Sequence, residues 1–215
     1  MGIKQKEFLQ NNIVQIEAYT SKHRAYFTLK IIADFLIALF GLVITSPILL
    51  FFIIVIKLES KGPAFFLQER VGVNGKLFHI IKLRSMDINA EKNGAQWATK
   101  NDPRITKVGS FIRKTRIDEI PQLINILKGD MSLIGPRPER LVFTEQFDEE
   151  IPGFKNRLIV KPGITGWAQV NGGYDISPSE KLSFDLYYIQ NLSFLIDLKI
   201  AFKTIRVIFT GDGAR

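Results

Sequence analysis

The chain has 215 residues, a formal net charge of +8, 46% hydrophobic and 23% charged residues. That composition fits one globular unit with a real core and excludes both wholesale disorder and a tandem multidomain enzyme. Cys is absent and the two His, at 23 and 79, have no metal-ligand spacing, which excludes disulfides, a Cys/His zinc site, a thiol nucleophile and a Cys-held iron–sulfur cluster. There is no G-x-S-x-G, P-loop or G-x-G-x-x-G. Chemistry therefore falls to carboxylates, Lys, Arg, Tyr or a hard metal ion.

Charge is segregated: +3 in 1–61, +7 in 62–116 and −2 in 117–215. Residues 1–21 carry Phe8, Leu9, Ile13 and Ile16 and read as a short amphipathic segment. Phe35 to Ile56 is a run of 22 residues without a charge, roughly 33 Å as a helix and long enough for the hydrocarbon core of a bilayer. Mixed residues precede it and no cleavage site follows, which argues against a signal peptide. Ser46-Pro47 lies at its middle, where proline removes a helix hydrogen bond and predicts a kink. Lys22, Arg24 and Lys30 flank one side, Lys57 and Lys61 the other, a balance that suits a helix entering and leaving by one face; a kinked span is the alternative. Asp34, one turn inside, needs a partner, and Lys30 at i−4 is a candidate.

Residues 64–86 read as a β-hairpin turning at Asn74-Gly75, with Lys82 and Arg84 on an exposed face or facing phosphate. Residues 87–104 lack periodicity and read as a loop. Helices are predicted over 105–115 and over 118–128, the latter with Asp118 near its N-cap, Pro121 in its first turn and Gly129 as its stop. Ser177-Pro178-Ser179-Glu180 is a capping box that starts a helix carrying Asp185. Residues 193–209 combine an apolar body with Lys199, Lys203 and Arg206, the pattern of an interfacial helix and equally of an amphipathic core helix.

The densest constellation runs Arg113-Lys114-Thr115-Arg116-Ile117-Asp118-Glu119. Paired carboxylates at a helix start have a bland explanation as caps. Three cations just upstream point instead to carboxylates kept ionised in a phosphate pocket, as nucleophile or metal ligand. In 129–139 two prolines stiffen a turn around Arg137. Lys161-Pro-Gly-Ile-Thr-Gly-Trp167 is a simple turn or, through Trp167, the border of a cleft.

The runs Asp118-Glu119-Ile-Pro-Gln, Lys128-Gly-Asp-Met-Ser-Leu-Ile-Gly-Pro-Arg-Pro-Glu139, Lys161-Pro-Gly-Ile-Thr-Gly-Trp-Ala-Gln-Val-Asn171 and Asp185-Leu-Tyr-Tyr188 closely resemble the bacterial monotopic phosphoglycosyl transferases, or initiating sugar transferases, in their small single-domain form. The resemblance extends from about Lys22 to the C-terminus. It implies an α+β, mainly helical fold with a re-entrant membrane helix broken at Ser46-Pro47 (22–61), a small β-hairpin, and a cytoplasmic catalytic domain (62–215) with interfacial amphipathic helices. It further implies transfer of a sugar 1-phosphate from a UDP-sugar to polyprenyl phosphate with release of UMP, the first membrane step of a glycan assembly. Asp118 would be the nucleophile that becomes phosphosugar-bound, Glu119 its dyad partner, and Lys82, Arg113 and Arg137 the phosphate-binding cations. Mg²⁺, or Mn²⁺ in its place, would sit on Asp118, with Asp185 a second candidate ligand. The implied setting is the inner face of the bacterial cytoplasmic membrane, with membrane lipid and downstream glycosyltransferases as partners; a homodimer is compatible with it. Pro136-Arg-Pro-Glu-Arg140 looks closer to relatives that move a plain hexose phosphate than to those using di-acetamido sugars. The rivals are a non-enzymatic membrane scaffold and a basic nucleic-acid binder, the latter weak because no nucleic-acid motif is present.

Overall fold

The computed structural model describes residues 24–92, 94, 99, 102–172 and 176–210, so the amphipathic segment expected at 1–21 lies outside the described residues. Its first element, α1 (Arg24–Glu59), is 36 residues long, about 54 Å, and stays helical through Pro47. Proline supplies no N–H to the carbonyl four residues back, Val43, and the Ser46 hydroxyl donates to that same oxygen at 2.8 Å. Thr45 likewise donates to the Gly41 carbonyl at 2.6 Å. The helix interior is thus kept by side chains where the backbone falls short.

The hairpin forms as predicted: β1 (Phe65–Val71) pairs antiparallel with β2 (Leu77–Leu83), setting Phe66 opposite Lys82. Asn74 and Gly75 take the left-handed conformation (φ 55° and 76°) that closes the turn. Next come α2 (Lys107–Lys114), capped by Thr106, a 3₁₀ turn at Ile117–Glu119, and α3 (Gln122–Leu127). A single helix from Asp118 to 128 is therefore not what forms. Arg116 adopts φ 55°, which breaks the chain after α2, and the bonds Glu119 N–H to Arg116 O and Ile120 N–H to Ile117 O close a separate tight turn. Pro121 becomes the N-cap residue of α3, and the two carboxylates are freed from capping it.

Strand β3 (Ser132–Ile134) lies parallel to β4 (Gly163–Thr165), and α4 (Leu141–Glu150), a 3₁₀ stretch at Phe154–Ile159 and α5 (Trp167–Asn171) surround them. The region predicted as a turn around Gly163 is thus a strand. A Cβ on Gly163 would sit 2.1 Å from the Gly135 nitrogen, so only glycine allows this approach. The predicted capping box opens α6 (Pro178–Gln190), and α7 (Phe194–Thr210) ends the described chain.

The core is built between α1 and everything else. Tyr26 packs with Tyr188, Ile196 and Ile200; Ala38 with Phe78, Ile80 and Ile126; Leu49 and Ile56 with Ala64, Leu83 and Ile112. Fifteen large apolar side chains of α1 remain exposed, together with Phe194, Leu195, Leu198, Phe202 and Ile205 of α7. In α7, Ile196 and Ile200 are buried as in an amphipathic core helix, while its other face is bare and apolar. Asp34 does not pair with Lys30. It accepts from the Ser132 hydroxyl at 2.6 Å and the Leu133 N–H at 3.3 Å, while Lys30 pairs with Asp197 at 2.9 Å. The reason is reach: Ser132 and Leu133 stand on a strand packed against that face of α1, whereas Lys30 is drawn to the carboxylate of α7.

Candidate active site

The 3₁₀ turn delivers Asp118 and Glu119, both over nine-tenths buried, into a cleft of about 420 Å³. Its walls come from the hairpin, α2, the turn, the loop after β3, α4, α5 and the start of α6. Nine Arg or Lys and five Asp or Glu line it. The chain thus leaves a cationic excess around two carboxylates.

Glu119 is spoken for. Its Oε1 accepts from Lys82 Nζ at 2.8 Å and Arg137 Nη2 at 2.5 Å, and Arg116 stands 4.0 Å from the other oxygen. Burial opposes its ionisation, but the Arg137 guanidinium and Lys82 ammonium outweigh that and hold its carboxyl well below the usual range. Asp118, next in the chain, makes no ion pair among the described residues. Burial pushes its carboxyl up to about 6, against the opposing pull of Lys82 and Arg113. One carboxylate therefore organises the cations, and its neighbour stays open and ionised at neutral pH.

Each cation is positioned locally. Lys82 lies on β2, whose Ile81 N–H and His79 carbonyl are both bonded by the fully buried Asn125 of α3 (3.0 and 2.7 Å). Arg113, in the last turn of α2, lines the cleft with Nη1 buried and without a hydrogen-bond partner. Arg137 hangs from the loop held by Gly135 N–H to Thr165 O (2.9 Å) and Gly163 N–H to Pro136 O (3.0 Å). Its carbonyl also accepts from Arg157 at 2.8 Å.

Of the predicted site residues, Asp118, Glu119, Lys82, Arg113 and Arg137 converge on the cleft, and Asp185 does not. Asp185 is 1% exposed and its Oδ2 is held by two guanidinium nitrogens of Arg157, at 2.6 and 2.8 Å. That ion pair keeps the carboxylate behind the cleft and not in its lining. Its role is to hold Arg157 and, through it, the backbone of Arg137. Trp167 does not line the cleft either; it stacks on Tyr187 with Lys203 over its ring, and its successors Ala168 and Gln169 face inward instead. Arg84, grouped with Lys82 by alternation, spends its guanidinium on the carbonyls of Ser60 and Lys61, both at 2.8 Å. Arg157 and Gln169 were not legible as functional residues, since Arg157 follows Lys155 and Asn156 in a segment whose pattern does not single it out.

The site was tested for Mg²⁺ on its donors. Among the described residues no three Asp, Glu or His cluster together, so no all-protein cage is present. A single open carboxylate, Asp118, fits the habit of Mg²⁺ of taking one or two carboxylates and completing its shell with substrate phosphate oxygens and water.

Residues 25–211 match the model of the family described as bacterial sugar transferase. The chain belongs to that family. It is 54% identical over 185 residues to the UDP-N-acetylgalactosamine-undecaprenyl-phosphate N-acetylgalactosaminephosphotransferase of Aeromonas hydrophila, covering 85% of this chain and 44% of that protein. It is 43% identical over 191 residues to the UDP-glucose:undecaprenyl-phosphate glucose-1-phosphate transferase of Escherichia coli K12, covering 86% and 41% respectively. An uncharacterized sugar transferase of Bacillus subtilis is 43% identical and is matched over 89% of its own length. The chain thus spans less than half of the first and second of these sugar transferases and most of the third.

Proposed function

We propose that this sugar transferase moves a sugar 1-phosphate from a UDP-sugar onto a polyprenyl phosphate at a membrane surface, through a covalent intermediate on Asp118. The observation that carries the reading is the division of labour in the dyad: Glu119 is saturated by Lys82 and Arg137, and Asp118 is left open beside an unpartnered Arg113. In the first displacement an Asp118 oxygen forms a bond to the sugar-bearing phosphorus. The bond from that phosphorus to the bridging oxygen breaks, and UMP departs with the oxygen and its electron pair. In the second, a lipid phosphate oxygen attacks the same phosphorus and the acyl phosphate bond breaks, restoring the carboxylate. Neither step needs a proton from the protein, which accords with a site rich in Arg and Lys and without a histidine in its lining. The cations hold charge that is fixed before the reaction begins, the arrangement that lowers barriers most in a water-poor cleft. Mg²⁺ on Asp118 and the donor's phosphate oxygens would supply further neutralisation of the diphosphate.

The membrane arrangement follows the same reading. α1 enters and leaves the bilayer by one face. In support, both its ends are tied to one polar domain: Tyr26 and Lys30 to Asp197 (2.7 and 2.9 Å), and Glu59 to the Val108 N–H (2.9 Å), with Arg84 gripping the residues just beyond. The exposed apolar faces of α1 and α7 are the surfaces that meet lipid. The setting is the cytoplasmic face of the membrane, where downstream glycosyltransferases would use the product.

Release of UMP from a panel of UDP-sugars, with and without polyprenyl phosphate, tests the chemistry. Turnover should require the lipid, and one donor class should dominate; the two named relatives use an N-acetylated and a plain hexose. No release from any UDP-sugar would end the proposal. Since the chain has no native Cys, single cysteines at positions 22 and 61 label cleanly. Both should react only from the cytoplasmic side, and opposite accessibility would establish a span.

A further inference from the structure

Gln169, on α5, lines the cleft, yet both its amide oxygen and its amide nitrogen are buried without a hydrogen-bond partner among the described residues. A buried polar atom left unpaired is destabilising, so two on one side chain demand an explanation. Gln122 shares that lack of partners but lies outside the cleft lining, so of the two unpaired amides only Gln169 can be completed by a ligand there. Its surroundings describe what such a ligand is. Phe143, Phe147, Ile176 and Pro178 line the same cleft and are apolar. A Cβ on Gly166 would lie 2.2 Å from the Gly135 carbonyl and 2.8 Å from Gln169 Oε1, which seats the amide beside the loop that carries Arg137. The combination is an apolar slot with one donor and one acceptor, next to a phosphate-binding arginine. It suits a flat heterocycle attached to a phosphate.

We infer that Gln169 reads the imide edge of the donor's uracil ring. A primary amide presents an acceptor and a donor side by side, and uracil presents N3–H and the C4 carbonyl side by side on one edge, so two hydrogen bonds form at once. The N-acetyl group of an amino sugar offers the same two atom types in the wrong disposition. It is a trans amide, with its N–H and carbonyl pointing opposite ways, and can satisfy only one of the two. This inference rests on the uridine-nucleotide donor proposed above.

The test uses the full chain in detergent or lipid nanodiscs, with UMP and N3-methyl-UMP as competing ligands and UDP-sugars as substrates. N3 methylation removes the imide donor, whereas a comparison with CMP decides nothing because a glutamine can turn its amide over to pair with cytosine. The parent should bind UMP about 10-fold or more tightly than N3-methyl-UMP, the discrimination expected of a bidentate pair. Gln169→Leu should abolish that preference and raise KM for UDP-sugar about 10-fold with kcat within about threefold, since the base is remote from the reacting phosphorus. Gln169→Ala should do the same. An unchanged KM and an unchanged preference in both variants would overturn the inference. So would an effect confined to N-acetylated donors, which moves the contact to the sugar, or a joint loss of kcat and thermal stability, which makes the residue structural. Absence of UMP release from every UDP-sugar in the parent sinks the transferase reading alone, and the UMP binding comparison still decides the role of Gln169.

Discussion

The contact between α1 and the rest of the molecule and the cleft around Asp118 are both rich in charge, and they use it in opposite ways. Along α1 every charged group that turns inward is matched from within: Lys30 by Asp197, which also receives the hydroxyls of Tyr26 and Tyr188, and Asp34 by Ser132 and Leu133. In the cleft the cations outnumber the acids, and Arg113 keeps a buried nitrogen without a partner. Charge balanced internally is architecture, and charge left in surplus is addressed to a ligand. The Arg157–Asp185 pair marks the border, because it is balanced like the first region and lies directly behind the second.

Asp118→Asn breaks the comparison hardest. It should lower UMP release by at least about 1,000-fold, because the attacking oxygen is lost. Its stability should move the other way. The folded carboxyl sits at about 6, above the ordinary value near 3.9, so its ionised form is disfavoured by folding at neutral pH, and that penalty fades as pH falls through 6 toward 4. In unfolding experiments the variant should be as stable as the parent or more so at pH 7, by at most about 3 kcal/mol, and equally stable near pH 4. A structural cap would show the reverse, full turnover with lowered stability. In the parent the same carboxyl should give UMP release an acid limb near pH 6, with about a tenfold fall per unit below it in a pH–rate profile.

Asp185→Ala tests the border. It strands a buried guanidinium and should cost about 3–5 kcal/mol in unfolding experiments, with activity lost through misplacement of Arg137. If instead the folded stability were unchanged and only metal dependence moved, Asp185 would be a ligand after all. The mildest change is Ser46→Ala, which leaves the Val43 carbonyl without its donor; about 1 kcal/mol of stability should be lost with catalysis near normal once the protein is embedded. A stability loss as large as that of Asp185→Ala would show that α1 depends on its Ser46 cover more than on its internal pairs.

What was legible in the sequence was local. The Asn74-Gly75 turn and the Ser177 capping box carry their instruction within a few residues and formed as read, and the uncharged run formed the helix that its length and composition called for. The dyad was legible as a motif, as were Lys82, Arg113 and Arg137. Its detachment from α3 was not, because it depends on the left-handed Arg116, a conformation that the residue type does not announce. The partners of Asp34, nearly a hundred residues away on β3, were illegible for the ordinary reason that pattern reasoning sees neighbours along the chain. Asp185 was placed with the site by resemblance, and only the fold revealed that Arg157 claims it. Gln169 lay inside a quoted motif without drawing notice, since nothing in a sequence says that an amide will go unpaired.

The hydroxyl of Ser46 has a consequence beyond helix continuity. A bare carbonyl at hydrocarbon depth recruits water, and a helix bent by proline usually borrows a neighbouring helix or an ordered solvent molecule to cover it. Here the covering group belongs to the residue next to the proline. The Val43 carbonyl is therefore covered without a second helix or a solvent molecule, and the helix carries its own repair beside the proline.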